Sequence, residues 1–149
     1  MIISEEIRDK IAEEYNEWES RQYGENAFNK DWHKNLGAYY TPPKFTIKML
    51  EKFSNLDGDV LDPACGCGGL IAAAIIAGAD PKRCYGIELD SEILEICRRR
   101  LSRLGVPEKN IHQGDAMNED CYRFEDGYHY DPKSNSVSFS GRKLFKFGF

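Results

Sequence analysis

Apolar residues recur at spacings of three and four from Ile7 through Ile11 and Tyr15 to Trp18. Ser4 stands where a capping hydroxyl belongs, so the first predicted element is a helix reaching about Tyr23. A polar connection, "GENAFNKDWHKNLG", separates it from "AYYTPPKFTIKMLEKF". There Thr41 suits an N-cap, Pro42 suits the first helical position, and Phe45, Met49 and Phe53 fall on one face. Val60 and Leu61 open a short buried strand that ends at Asp62 and Pro63. From Gly68 or Gly69 to Gly78, "GLIAAAIIAG" is apolar all round, the mark of a helix buried against a sheet. "CYGIEL" is a second strand. Asp90 then caps an amphipathic helix with Ile93, Leu94, Ile96, Cys97, Leu101 and Leu104 inward and Arg98, Arg99, Arg100 and Arg103 outward. Gly105 stops that helix, and "IHQGD" forms a third strand.

Strand, helix, strand, helix, strand at this spacing predicts an α/β fold, a parallel sheet wound by right-handed crossovers and preceded by two helices. From about Met117 the period changes. Aromatics alternate with polar residues through "YRFEDGYHYDPKSNSVSFSGRKLFKFGF", which predicts two or three antiparallel strands, a β-hairpin-like extension. Its aromatics are expected to line a buried hairpin face rather than to stack on bases.

Composition narrows the classes. With 149 residues and 41% hydrophobic content, the chain suits one domain with one core. A net charge of −5 argues against a stand-alone nucleic-acid binder. Yet the charge is uneven: residues 1–25 carry eight acids against three bases, whereas 132–149 hold Lys133, Arg142, Lys143 and Lys146 and no acid. Both ends read first as solvated faces. No apolar run is long enough to span a membrane and the first residues are acidic, so a cytoplasmic protein without a membrane partner is expected. Five cysteines (Cys65, Cys67, Cys84, Cys97 and Cys121) lack the density of a disulfide scaffold, which makes free thiols the expectation.

The chemistry concentrates in "VLDPACGCGGL", residues 60–70. A phosphate-binding P-loop needs a Lys followed by Ser or Thr after its last glycine, and neither is present. Gly66 and Gly68 begin a dinucleotide fingerprint, but Ile71 stands at its third glycine. Cys65 and Cys67 enclose one residue rather than the two of a zinc knuckle, so no metal is expected. What remains is a cofactor with a sugar and a base but no phosphate to neutralise. Gly66 and Gly68 let the backbone approach it, and Asp62 offers a carboxylate to a cation. Glu88, 22 residues beyond Gly66, is at the distance where an acid meets ribose hydroxyls, and Asp115 can accept from an adenine amine. Three ordinary turn or cap acids are the plainer alternative; their joint placement at three strand ends favours a ligand crevice.

"GAYYTPP", "VLDPACGCGGL", "GIELD" and "HQGDAM", in this order over residues 37–117, resemble the amino-terminal half of the γ-type DNA adenine-N6 methyltransferases of type I and type II restriction-modification systems. The resemblance implies S-adenosylmethionine as cofactor. It places Tyr40 and Thr41 near the cofactor's carboxylate, Asp62, Ala64 and Gly66 around its methionine part, Glu88 on the ribose, and Asp115 and Ala116 on the adenine. It also implies a partial Rossmann-like methyltransferase sheet in the order 3-2-1, with the tail beside strand one.

The family's Asn-Pro-Pro-aromatic loop, which grips the flipped base, is not found. The only Pro-Pro pair is Pro42-Pro43, and Pro132 is the only proline after Asp115. The expected organisation is a helical segment at 1–36, a cofactor-binding core at 37–117 and a tail at 118–149 that completes the same domain. Two readings follow. One is a methyltransferase-like protein, catalytically incomplete alone, that meets DNA with a partner: a second copy, or a complementing methyltransferase or specificity chain. The other is a non-enzymatic cofactor-sensing or interaction module.

Overall fold

Short segments that open on the buried residues Val60, Cys84 and Ile111 become the parallel strands, and the helices between them pack against the sheet. The computed structural model describes residues 1–25 and 41–118, together with the strands at 128–131, 136–139, 142–143 and 145–146. Helix α1 (Glu5–Glu25) opens the fold. Ser4 caps it as expected, its Oγ accepting from the Ile7 N–H at 3.2 Å, and Ile11 and Trp18 are buried on its inner face.

Helix α2 spans Pro43–Leu50, one residue later than the sequence suggested, and Thr41 does not cap it. Pro42 precedes another proline. That restriction keeps Pro42 extended, with φ −70° and ψ 157°, so the first helical position passes to Pro43. The buried face turns with it: Thr46, Ile47 and Leu50 go inward, Met49 and Phe53 are only half-buried, and Phe45 is exposed beneath the Lys44 ammonium.

Strand β1 (Val60–Asp62) leads through the glycine loop into α3 (Gly69–Ile76), whose Leu70, Ile71, Ala72, Ala73 and Ala74 are all buried. Each of the larger side chains contributes roughly 2 kcal/mol on burial. Strand β2 (Cys84–Glu88) is buried along its whole length. Asp90 caps α4 (Ser91–Ser102), its Oδ1 accepting from the N–H groups of Glu92 and Ile93 at 2.8 and 3.1 Å. Gly105, at φ +95°, provides the left-handed residue that ends this segment before β3 (Ile111–Gln113). Asn110 donates to the carbonyls of Lys82 and Cys84, pinning the entry to β3 against that of β2.

The three strands are parallel, with Val60 opposite Cys84 and Gly86 opposite Ile111, in the order β3-β2-β1. This is the partial Rossmann-like sheet expected. In the tail, β4 (Tyr128–Asp131), β5 (Ser136–Phe139) and β6 (Arg142–Lys143) form a separate antiparallel sheet. Strand β7 (Phe145–Lys146) does lie beside β1, but parallel to it, so the tail is not antiparallel throughout. Its two residues give β1 ladder partners on the edge that would otherwise be bare. Among the described residues no helix is long and apolar enough to cross a membrane.

Candidate functional site

A parallel sheet sends every strand's carboxyl end to one side, and here each end carries an acid. Asp62 closes β1, Glu88 closes β2, and Asp115 follows β3 by two residues. The ladders continue into the connections. The Cys65 N–H donates to the Ile87 carbonyl, and the Gly114 N–H donates to the Glu88 carbonyl, both at 3.0 Å. The segments carrying the acids are therefore tied to each other and not only to their own strands.

The glycine loop between β1 and α3 depends on two left-handed residues, Gly66 at φ 54° and Gly68 at φ 85°. Any other residue would be strained at both. At Gly68 a Cβ would also approach Cys97 Sγ and Leu101 Cγ to 3.1 Å, so the glycine lets α3 start close against α4. Gly86 is required for a different reason: a Cβ there would stand 2.9 Å from Cys65 Sγ.

Cys65, Cys67, Cys84 and Cys97 are free and buried. The contact with Cys97, with burial added, pushes the Cys65 thiol well up, and burial pushes Cys67 and Cys84 up to about 12. Cys65, Cys67 and Cys84 therefore stay thiols at neutral pH and pack as small buried groups.

Asp62 is 6% exposed. Burial pushes its carboxyl up to about 6; the Ala64 N–H, 3.1 Å from Oδ1, opposes that push and the like charge of Glu88 adds to it. Glu88 is also buried, and its Oε2 accepts from the Asp90 N–H at 2.8 Å, which fixes the carboxylate against the start of α4. Asp115 is exposed, with Oδ1 accepting from the Met117 N–H at 2.9 Å, and half-buried Ala116 lies inside that turn.

The carboxyl side of the sheet thus gathers Asp62, Ala64, Gly66, Gly68, Glu88, Asp115 and Ala116. Thr41 arrives from elsewhere: its carbonyl lies 3.3 Å from where a Cβ on Gly69 would stand, at the start of α3. Tyr40 lies outside the described residues. A buried, incompletely compensated carboxylate, two positive-φ glycines and two further acids make an arrangement able to hold a ligand with a cationic end and a hydroxyl-bearing part.

One arginine departs from the pattern expected of α4. Arg100 is not outward: its side chain is 4% exposed, and its Nε and Nη2 donate to Glu14 of α1 at 2.6 and 3.0 Å. Its guanidinium lies 4.2 Å above the Trp18 ring, and Nη1 reaches the Cys67 carbonyl in the glycine loop. The signal was present. Arg100 stands three residues after Cys97 and seven after Ile93, on the inward stripe of α4, and Glu14 lies between Ile11 and Trp18 on that of α1.

Residues 5–135 match the model of the N-6 DNA methylase family. The type II methyltransferase M.VspI of Vibrio sp. (strain 343) is 30% identical over 107 residues, covering 70% of this chain and 26% of that protein. The chain therefore spans about a quarter of the length of this curated relative.

Proposed function

This chain belongs to the N-6 DNA methylase family, and on that premise we propose that the crevice at the carboxyl ends of β1, β2 and β3 binds S-adenosylmethionine. Asp62 takes the cationic methionine end, with the backbone of Ala64, Gly66 and Gly68 around it and Tyr40 and Thr41 toward its carboxylate. Glu88 accepts from the ribose hydroxyls, and Asp115 with Ala116 borders the adenine. Bound there, the cofactor supplies a methyl group activated by its sulfonium charge. The substrate in this reading is adenine N6 in DNA, within restriction-modification. The base-gripping loop has no counterpart in these 149 residues, so methylation requires chain from outside them, for example a complementing subunit.

The observation that carries the reading is Asp62, a buried carboxyl that burial pushes up to about 6, still ionised at pH 7.5 and compensated by no cation among the described residues. A bound ammonium or sulfonium would supply the missing charge. Calorimetric titration with S-adenosylmethionine and S-adenosylhomocysteine tests this, with the Asp62→Ala, Glu88→Ala double variant in parallel. Micromolar binding at pH 7.5 that weakens below about pH 6, as Asp62 takes up a proton, and is lost in the double variant is expected. Absence of binding by the wild-type chain overturns the reading.

A second reading, a cofactor-sensing or interaction module, is favoured by β7, which occupies the edge of β1 where another strand of a larger sheet could pair. DNA methylation on addition of a complementing subunit would decide against it.

A further inference from the structure

We infer that Arg100 is a positioning residue for the glycine loop, and that α1 acts on the proposed cofactor site through it. The inference rests on the cofactor reading above and adds the element that sets the loop's conformation.

The peptide joining Cys67 to Gly68 is held at both ends. Its carbonyl accepts from Arg100 Nη1 at 3.3 Å, and its N–H donates to the Cys65 carbonyl at 2.8 Å. Gly66 and Gly68 flank Cys67, both with positive φ. Gly68, on one side of that peptide, lets it rotate at little steric cost, so backbone sterics alone do not select one orientation. Two hydrogen bonds do: the Gly68 N–H to the Cys65 carbonyl from within the loop, and Arg100 Nη1 to the Cys67 carbonyl from α4, and only the second ties the choice to α1. The Gly68 carbonyl in turn accepts from the Ala72 N–H at 2.9 Å, so the setting of this peptide passes directly into the first turn of α3.

The guanidinium is itself held. Two of its nitrogens go to Glu14, whose side chain is 13% exposed, and Trp18, at 1%, lies under its plane. Trp18 packs with Cys67, Ile93 and Ile96 in a small cluster separate from the main core. A buried ion pair adds little stability relative to apolar residues of the same volume, so stability alone does not account for this one. What the pair does provide is a planar fork with one remaining donor aimed at the loop, which a lysine cannot reproduce while also facing Glu14.

The test uses the full chain, isotope-labelled. Amide resonances of Gly66, Cys67 and Gly68 are recorded for wild type, Arg100→Lys, Glu14→Gln and Arg8→Ala, followed by calorimetric titration with S-adenosylhomocysteine. Arg8→Ala is the control, since it cuts the Arg8–Glu51 pair between α1 and α2 without touching the loop. The expected result is that Arg100→Lys and Glu14→Gln shift or broaden the three amides and lower affinity by about tenfold or more, while Arg8→Ala changes neither. Unchanged amides and affinity in Arg100→Lys overturn the inference. So does the same pair of changes in Arg8→Ala, which would mean a general loosening of α1, and so do altered amides with full affinity. Should Arg100→Lys fail to fold, Glu14→Gln decides, because it keeps the guanidinium and weakens only its anchor. If wild type does not bind S-adenosylhomocysteine, the cofactor reading fails separately and the amides alone decide whether Arg100 sets the loop.

Discussion

Asp59 and Asp62 stand at opposite ends of one strand, and both are almost wholly buried, at 0% and 6% exposure. Asp59 enters β1 and meets Arg83, whose Nε donates to its Oδ1 at 2.7 Å while Nη1 donates to the Asp57 carbonyl. That hydrogen bond to Asp59 holds the Arg83 guanidinium above its ordinary pKa. Asp62 leaves β1 with one backbone N–H and a like charge for company, and burial pushes its carboxyl up to about 6. The same residue type, at equal depth, is compensated from within the chain at the amino end of the sheet and meets no cation among the described residues at the carboxyl end. The first belongs to the stability of the fold, and the second is a cost to it that the proposed cofactor would offset.

The largest expected effect comes from undoing the compensation. Arg83→Ala leaves Asp59 buried without its cation and is expected to lower the unfolding free energy by about 3 kcal/mol or more. Cofactor affinity in the surviving folded fraction should be unchanged. Chemical denaturation paired with calorimetry reads both, and a loss of affinity without a loss of stability would erase the division between the two ends.

Asp62→Asn should move the two quantities the other way. The folded-state value of about 6 lies above the ordinary 3.8, so the stability associated with Asp62 is greatest below 3.8 and falls away as pH rises through about 6. Roughly two pH units correspond to at most ~3 kcal/mol. Asparagine keeps the acceptor for the Ala64 N–H and removes the charge. The variant is therefore expected to be more stable than wild type at pH 7, by up to that amount, and to lose the advantage as pH falls from 6 to 4. Its cofactor binding should be lost. Equal stability at pH 7 would mean that Asp62 is compensated after all.

The smallest effect sharpens the account of Asp62. Burial is the main push on its carboxyl and the charge of Glu88 a lesser one. Glu88→Gln should lower the Asp62 titration midpoint from about 6 without returning it to 3.8. Carboxyl-carbon NMR across the acid range measures it, and a full return would make Glu88 rather than burial the dominant cause.

Much of the frame was legible because it is local. The Asp90 cap needs only the N–H groups two and three residues on, and the end of α4 needs only a glycine at Gly105. The glycines at 66 and 68 are explained by their own positive φ angles. Where two local rules meet, one overrides the other: Thr41 suits a cap, but the proline after Pro42 moves the start of α2 to Pro43 and leaves Phe45 outward. Arg100 shares its charge with the neighbouring arginines, but its place on the apolar stripe of α4 gives it burial and a partner.

The winding of strand and helix, the acids at three strand ends and the glycines of the loop were determined by the sequence alone, since periodicity, capping and backbone conformation act over a few residues. Which partner each buried charge finds was decided only by the tertiary structure. Arg83 finds Asp59 across 24 residues, Arg100 finds Glu14 across 86, and β7 returns from the far end of the chain to lie beside β1. Whether a buried carboxylate meets a cation depends on which distant side chain packing brings within hydrogen-bond reach, and no local pattern records that distance.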